Sequence, residues 1–121
     1  TAVMGSSMGG IISFHIAWEH PDVFSMAGCL SPAFLVDNDE IVKRIKKYRG
    51  PKKDIRIYID NGTIGLEREF EPAMNKIIRQ LRKSGFEDGK DLMVFIDEGA
   101  EHNEMAWAKR VHKPLLFFFG K

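Results

Sequence analysis

Cysteine is almost absent from this 121-residue chain. Cys29 stands alone, which excludes an intrachain disulfide framework and a cysteine-based zinc site. A marked excess of either sign of charge is absent too. The 18 Lys+Arg face 17 Asp+Glu, for a formal net charge of +1. Such a chain has no electrostatic footprint for nucleic acid or for an anionic membrane surface. Long apolar runs are missing: stretches such as 92–96 and 115–119 fall far short of the ~20 residues that a membrane span needs. There is no internal repeat, linker or low-complexity tract. With 44% hydrophobic and 29% charged residues, the composition is that of a globular domain and excludes disorder. The length fits about one domain. The acidic group Asp37, Asp39 and Glu40 has no further ligands at suitable spacing, so it reads as a solvated helix start and not as a metal site. No residue pattern asks for a cofactor.

What the chain does contain is an alternation of short apolar runs with amphipathic stretches, the pattern of a parallel sheet with crossover helices. Thr1 to Met4 reads as a strand ending at Gly5, and Met8 to His20 as a helix, apolar nearly all round and therefore buried. Met26 to Leu30 is a second strand, broken by Ser31-Pro32. Asp39 to Tyr48 is a helix with Ile41, Val42, Ile45 and Tyr48 on one face. Ile55 to Ile59 is a third strand, followed by the turn signal Asp60-Asn61-Gly62. Glu67 to Ser84 is the clearest helix. Its apolar residues Phe70, Met74, Ile77, Ile78 and Leu81 repeat at helical spacing, Pro72 fits only in the first turn, and Gly85 suits the C-terminal cap. Leu92 to Ile96 is a fourth strand whose unbroken apolar run predicts cover on both faces. The last helix runs from about Asn103 towards Phe118, with Pro114 expected to kink or shorten it.

In β-α units the functional loops lie at the C-terminal ends of the strands. The first of these loops holds Gly5-Ser6-Ser7-Met8-Gly9, followed by Gly10. This is Gly-x-Ser-x-Gly between a strand and a helix, the pattern of a nucleophile elbow. Glycines two residues either side of Ser7 remove the Cβ clashes that would keep strand and helix apart. Ser7 would stand in strained backbone at a helix N-terminus, where N–H groups stabilise negative charge. The N–H of Met8 would be one oxyanion donor. A Gly/Ser-rich loop can match this pattern by chance, but the strand before it and the apolar helix after it favour the elbow.

A serine nucleophile needs a base. His102 lies in the loop after the fourth strand, on the same rim as Ser7 if the sheet is parallel. The chain order Ser, acid, His is that of α/β-hydrolases. His15, His20 and His112 fall on or beside helices and read as structural. Two acids follow the third strand. Asp60 competes with a role as turn former, and Glu67 with a role as a first-turn acid against the helix dipole. A loop able to arch towards His102 favours Glu67 over Asp60. Phe34 and Trp107 could line an acyl pocket, or could pack in the core. Cys29, inside a strand, reads as a small buried residue.

At these residues the chain resembles the esterase group of the α/β-hydrolases, which includes enterochelin-esterase-like and feruloyl-esterase-like enzymes and, more distantly, the mycolyltransferases. The resemblance spans nearly the whole chain. Its most specific parts are Gly5 to Gly10, His20-Pro21-Asp22-Val23-Phe24 and Leu30-Ser31-Pro32-Ala33-Phe34. Asp60-Asn61-Gly62-Thr63 and Gly99 to Glu104 with Trp107 complete it. The resemblance implies that Ser7 is the nucleophile and His102 the base. In that group the acid follows a Gly-Thr pair by two or three residues. Here those positions are Gly65 and Leu66, and Glu67 comes one residue later.

The resemblance therefore implies a serine carboxylic-ester hydrolase that forms an acyl-enzyme and needs no cofactor. Its substrate would be a small-molecule or carbohydrate-linked ester. An acyltransferase or a peptidase could use the same triad, and a non-catalytic binding member of the fold is the alternative from another class. Complete members have further strands before the elbow and draw their second oxyanion donor from a loop there. Residues 1–121 are thus expected to be the C-terminal half of a three-layer α/β/α domain, partnered by its N-terminal half. Neither a cytoplasmic nor an exported location follows. An uncovered first strand predicts poor solubility or association for these residues alone; a monodisperse monomer that unfolds cooperatively would contradict this.

Overall fold

Each apolar run and amphipathic stretch takes its element in the computed structural model, which describes residues 1–120. The order is β1 (Ala2–Ser6), α1 (Met8–Glu19), β2 (Met26–Leu30), a 3₁₀ turn (Phe34–Asp37), α2 (Glu40–Lys47), β3 (Arg56–Gly62), α3 (Leu66–Lys83), β4 (Leu92–Asp97), α4 (Glu104–Arg110) and α5 (His112–Phe119). The four strands form one parallel sheet in the order β1-β2-β3-β4. Every crossover steps the same way, and right-handed crossovers of that kind put their helices on one face.

Strand alternation sorts the core into two layers. Val3, Ala27, Cys29, Ile57, Ile59 and Val94 meet the apolar stripes of α1, α2 and α3. Leu30, Tyr58, Met93 and Phe95 face the other way, against Trp107, Val111 and Phe118 of α4 and α5. The result is a three-layer α/β/α unit. Phe70, Met74, Ile77, Ile78 and Leu81 of α3 are all buried, and such side chains contribute roughly 1.5–3 kcal/mol each relative to exposure. Gly85, at φ 100°, ends α3. The Phe86 N–H reaches the Leu81 carbonyl at 3.1 Å and the Gly85 N–H the Arg82 carbonyl at 3.1 Å, a Schellman closure.

Several expectations need correction. Asp60-Asn61-Gly62 is not a turn but the end of β3, paired with Phe95, Ile96 and Asp97 of β4. The Asp60 carboxylate and the Asn61 Nδ2 find buried partners, so they do not need a turn. Pro72 lies in the second turn of α3, on an exposed position; the carbonyl it leaves unpaired belongs to exposed Arg68. The last helix breaks at Val111, because Pro114 has no N–H for the Arg110 carbonyl and its ring would crowd that group. β4 is the last strand of the described sheet and only Leu92 in it is fully buried; its apolar run is half covered. α1 buries one face, and Ile12 on the other remains 55% exposed. No helix among the described residues is long and apolar enough to cross a membrane.

One close approach ties the last two strands together beyond their ladder. A Cβ on Gly62 would run into the carbonyl group of Ala100, in the loop after β4. That carbonyl accepts the N–H groups of Thr63 at 3.1 Å and Ile64 at 3.2 Å. Gly62→Ala is expected to push the two loops apart and to cost about 1–3 kcal/mol, read as a lower denaturation midpoint with an unchanged slope.

Candidate active site

The register of the sheet decides which residues leave it together. Ser6 pairs with Leu30, and Leu30 pairs with Asp60. Ser7, Ser31 and Asn61 therefore stand side by side at the C-terminal rim.

Ser7 has φ 57° and ψ −118°, a conformation that costs a non-glycine residue roughly 1–3 kcal/mol. Its backbone is held from both sides. The N–H donates to the Leu30 carbonyl at 3.0 Å, and the carbonyl accepts from Gly10 at 3.0 Å and Ala33 at 3.1 Å. The chain can turn this sharply only where a side chain is missing. A Cβ on Gly5 would lie 2.5 Å from the Gly9 carbonyl oxygen, and one on Gly10 would lie 2.9 Å from Pro32 Cβ. Gly9 itself faces open space; the second glycine that the turn requires is Gly10. Met8 is the first residue of α1, so its N–H lies at the positive end of the helix, beside Ser7.

His102 reaches Ser7 from the opposite end of the sheet. Its Nε2 lies 2.9 Å from Ser7 Oγ and its Nδ1 lies 2.9 Å from Glu67 Oε2. Because a carboxylate only accepts, Nδ1 carries the proton and Nε2 accepts the Ser7 hydroxyl. The loop bearing His102 is fixed where Gly99, at φ 83°, donates its N–H to Thr63 Oγ1 at 2.8 Å. The imidazole is clasped edge-on by Phe70 and Trp107, with ring centroids 5.1 and 5.0 Å away.

Glu67 is fully buried, on the first turn of α3. Its Oε1 accepts the Gly62 N–H at 2.8 Å and the Ser31 hydroxyl. The guanidinium of Arg110 lies 3.5 Å from the same oxygen. Ser31, also fully buried and at φ 42°, in turn accepts Trp107 Nε1 at 2.9 Å and Arg110 Nη2 at 2.6 Å. Arg110 is committed to Asp60, by Nε at 2.9 Å and Nη2 at 3.1 Å, with Asp97 at 3.3 Å. Burial pushes the Asp60 carboxyl up from its ordinary value, against the pull of Arg110, the Tyr58 hydroxyl and the Ser31 N–H. Burial alone would lower Arg110, but its bonds and charge pairing with Asp60 hold it above its usual value.

The structure thus brings Ser7, His102 and Glu67 into one hydrogen-bonded line, while Asp60 is taken up by Arg110, Tyr58 and Ser31. Phe34 takes the core alternative of the two. It is 2% exposed and packs edge-on against Phe14 in the core. Trp107 does stand at the site, beside a groove lined by Met4, Gly5, Ser6, Leu30, Ala108 and Val111. His15 bonds Asp37 at 3.3 Å; His20 ends α1 and His112 is an exposed start of α5. Asp37 receives the Ile41 N–H at 2.7 Å, and no group of three or more metal-ligating side chains occurs among the described residues. Cys29 is fully buried, and burial pushes its thiol up. Sequence reading misses Arg110 altogether and gives Ser31 no role beyond the motif around it. The one available signal for Ser31 is its place directly after β2, on the rim shared with Ser7.

Comparisons with known proteins follow the same line. A family model described as "Putative esterase" matches residues 1–116. The uncharacterized protein YbbA of Bacillus subtilis (strain 168) is 22% identical over 125 positions, covering 98% of this chain and 49% of YbbA. The chain thus spans about half the length of that relative. Among solved structures, the enterobactin esterase FES from Shigella flexneri superposes with a TM-score of 0.77 at 16% identity, covering 96% of this chain and 30% of that one. A ferulic acid esterase superposes at 0.75 and 15% identity, covering 97% and 50%. MPT51 (FbpC1) of Mycobacterium tuberculosis superposes at 0.71 and 16% identity, covering 98% and 58%. At these identities the likeness is one of fold: an α/β-hydrolase architecture.

The elbow sterics separate two glycines that look alike in sequence. Gly5→Ala is expected to force β1 and α1 apart and lower stability by about 1–3 kcal/mol. Gly9→Ala, inside α1 with space for the methyl, is expected to raise stability by up to about 1 kcal/mol. Urea denaturation of the two variants beside the parent protein checks both signs.

Proposed function

The chain belongs to the esterase family whose model covers residues 1–116, and on that premise we propose a serine carboxylic-ester hydrolase working through Ser7, His102 and Glu67. The observation that carries this reading is His102, bonded on one nitrogen to a strained serine hydroxyl and on the other to a buried carboxylate. A binding module has no use for that arrangement.

In this reading Ser7 Oγ attacks the acyl carbonyl carbon while Nε2 of His102 takes its proton. The electron pair of the carbonyl moves to its oxygen, beside the Met8 N–H. Such a donor is worth about 10²–10³ in kcat. The imidazolium that forms is held between Ser7 and the Glu67 carboxylate, and it then delivers the proton to the departing alkoxide. The acyl group stays on Ser7 until water, deprotonated by His102, repeats the attack and restores the serine. A second oxyanion donor, and the strands on the far side of β1, are assigned to the N-terminal half of the same domain. The substrate class is a small-molecule or carbohydrate-linked ester.

The complete protein is expected to cleave short p-nitrophenyl esters and to be labelled at Ser7 by a fluorophosphonate. Ser7→Ala should abolish both, with a loss of several orders of magnitude in kcat. Glu67→Gln should lower kcat by up to about 10⁴-fold, and Asp60→Asn by less. Labelling at another residue, with Ser7→Ala still active, would overturn the reading.

A further inference from the structure

The site holds two buried carboxylates and one buried guanidinium. Asp60 and Glu67 are both fully buried, and Arg110 is 2% exposed. If Arg110 bonded Glu67 directly, the histidine would lose part of its anion. What holds the two at ion-pair distance is one hydroxyl. Ser31 Oγ stands between Arg110 Nη2, at 2.6 Å, and Glu67 Oε1, and the direct Arg110–Glu67 distance is 3.5 Å.

The direction of that hydroxyl follows from its neighbours. A serine hydroxyl has one proton to give and two lone pairs to fill. The indole Nε1 of Trp107 and the guanidinium of Arg110 can only donate, and they take both lone pairs. The Ser31 proton therefore has one destination, Glu67 Oε1. That leaves Oε2 to face His102, which fixes the proton on Nδ1 and turns Nε2 towards Ser7. Two obligate donors at one end thus fix the direction of the Ser31–Glu67 bond, and the carboxylate, which only accepts, fixes the bonds beyond it.

We propose that Ser31 is a positioning residue: its donor-locked hydroxyl partitions Arg110 to Asp60 and keeps the charge of Glu67 for His102. This rests on the esterase reading above. Without the hydroxyl, Arg110 closes on Glu67 and draws the carboxylate away from the imidazole. His102 becomes a weaker base.

The test uses the complete protein, with Ser31→Ala and Ser31→Gly, each also in the Glu67→Gln background. Glycine suits φ 42° better than serine does, so the second variant relieves the backbone while removing the hydroxyl. Both variants are expected to keep KM for a p-nitrophenyl ester and to lose kcat about 10–100-fold, the coupling expected between residues in contact. The acid limb of the pH–rate profile should move to lower pH. In the Glu67→Gln background the same substitutions should cost little more. Parent-like kcat and pH limb in either folded variant, or an equal loss in both backgrounds, would overturn the proposal. So would loss of the fold in both variants, which would assign the hydroxyl to the core. ¹⁵N spectra of the His102 ring separate this from the esterase reading. If the parent protein cleaves no ester but the Nδ1–H signal weakens in Ser31→Ala, the esterase reading falls and the partition stands. If the parent is active and the signal is unmoved, the partition falls alone.

Discussion

The bidentate pairing of Arg110 with Asp60, beneath the C-terminal rim of the sheet, is the constraint on which the site depends. Two carboxylates without water need two positive or strongly donating partners. Arg110 satisfies Asp60 and reaches Asp97 besides. Glu67 is left with N–H and O–H donors on one oxygen and the imidazole on the other. The ion pair at Asp60 thereby makes Glu67, and not Asp60, the group that histidine answers to.

The sheet supplies what this electrostatics needs in geometry. Parallel pairing with Ser6, Leu30 and Asp60 in register lines up the exits of three strands. The loop after β4 closes over the fourth side through the Ala100 carbonyl and Thr63. The strain at Ser7 is offset by three backbone hydrogen bonds and by glycine at Gly5 and Gly10, so the scaffold, and not the site, supplies the energy that keeps the hydroxyl raised.

How much of this can be read from the chain alone differs residue by residue. The β-α alternation is legible because apolar period and length distinguish strands of five to seven residues from the helices between them. Ser7 and His102 are legible because each sits in a local pattern, one between a strand and a helix and one between a strand and a glycine-flanked loop. Asp60-Asn61-Gly62 misleads because turn propensity is local, whereas Asp60 and Asn61 are fixed by Arg110 and by the Glu67 carbonyl, residues the turn signal cannot see. Arg110 is invisible for the same reason. No local pattern marks it, and only the fold turns it inward. Phe34 shows the converse: a rim position in sequence, and a core position because the 3₁₀ turn rolls it onto Phe14.

The bonds that make up the site join residues far apart in the chain. Ser7 and His102 are 95 positions apart, Ser31 and Arg110 are 79, and Ser31 and Trp107 are 76. Contacts of such separation are the slow ones to close, since each loop must lose its entropy before any contact offsets the loss. Every β-α junction has to be seated before the line from Arg110 to Ser7 exists. A chain caught partway through folding therefore holds Ser7 without the partners that meet its hydroxyl, and these arrive only once the loop and helix after β4 have docked.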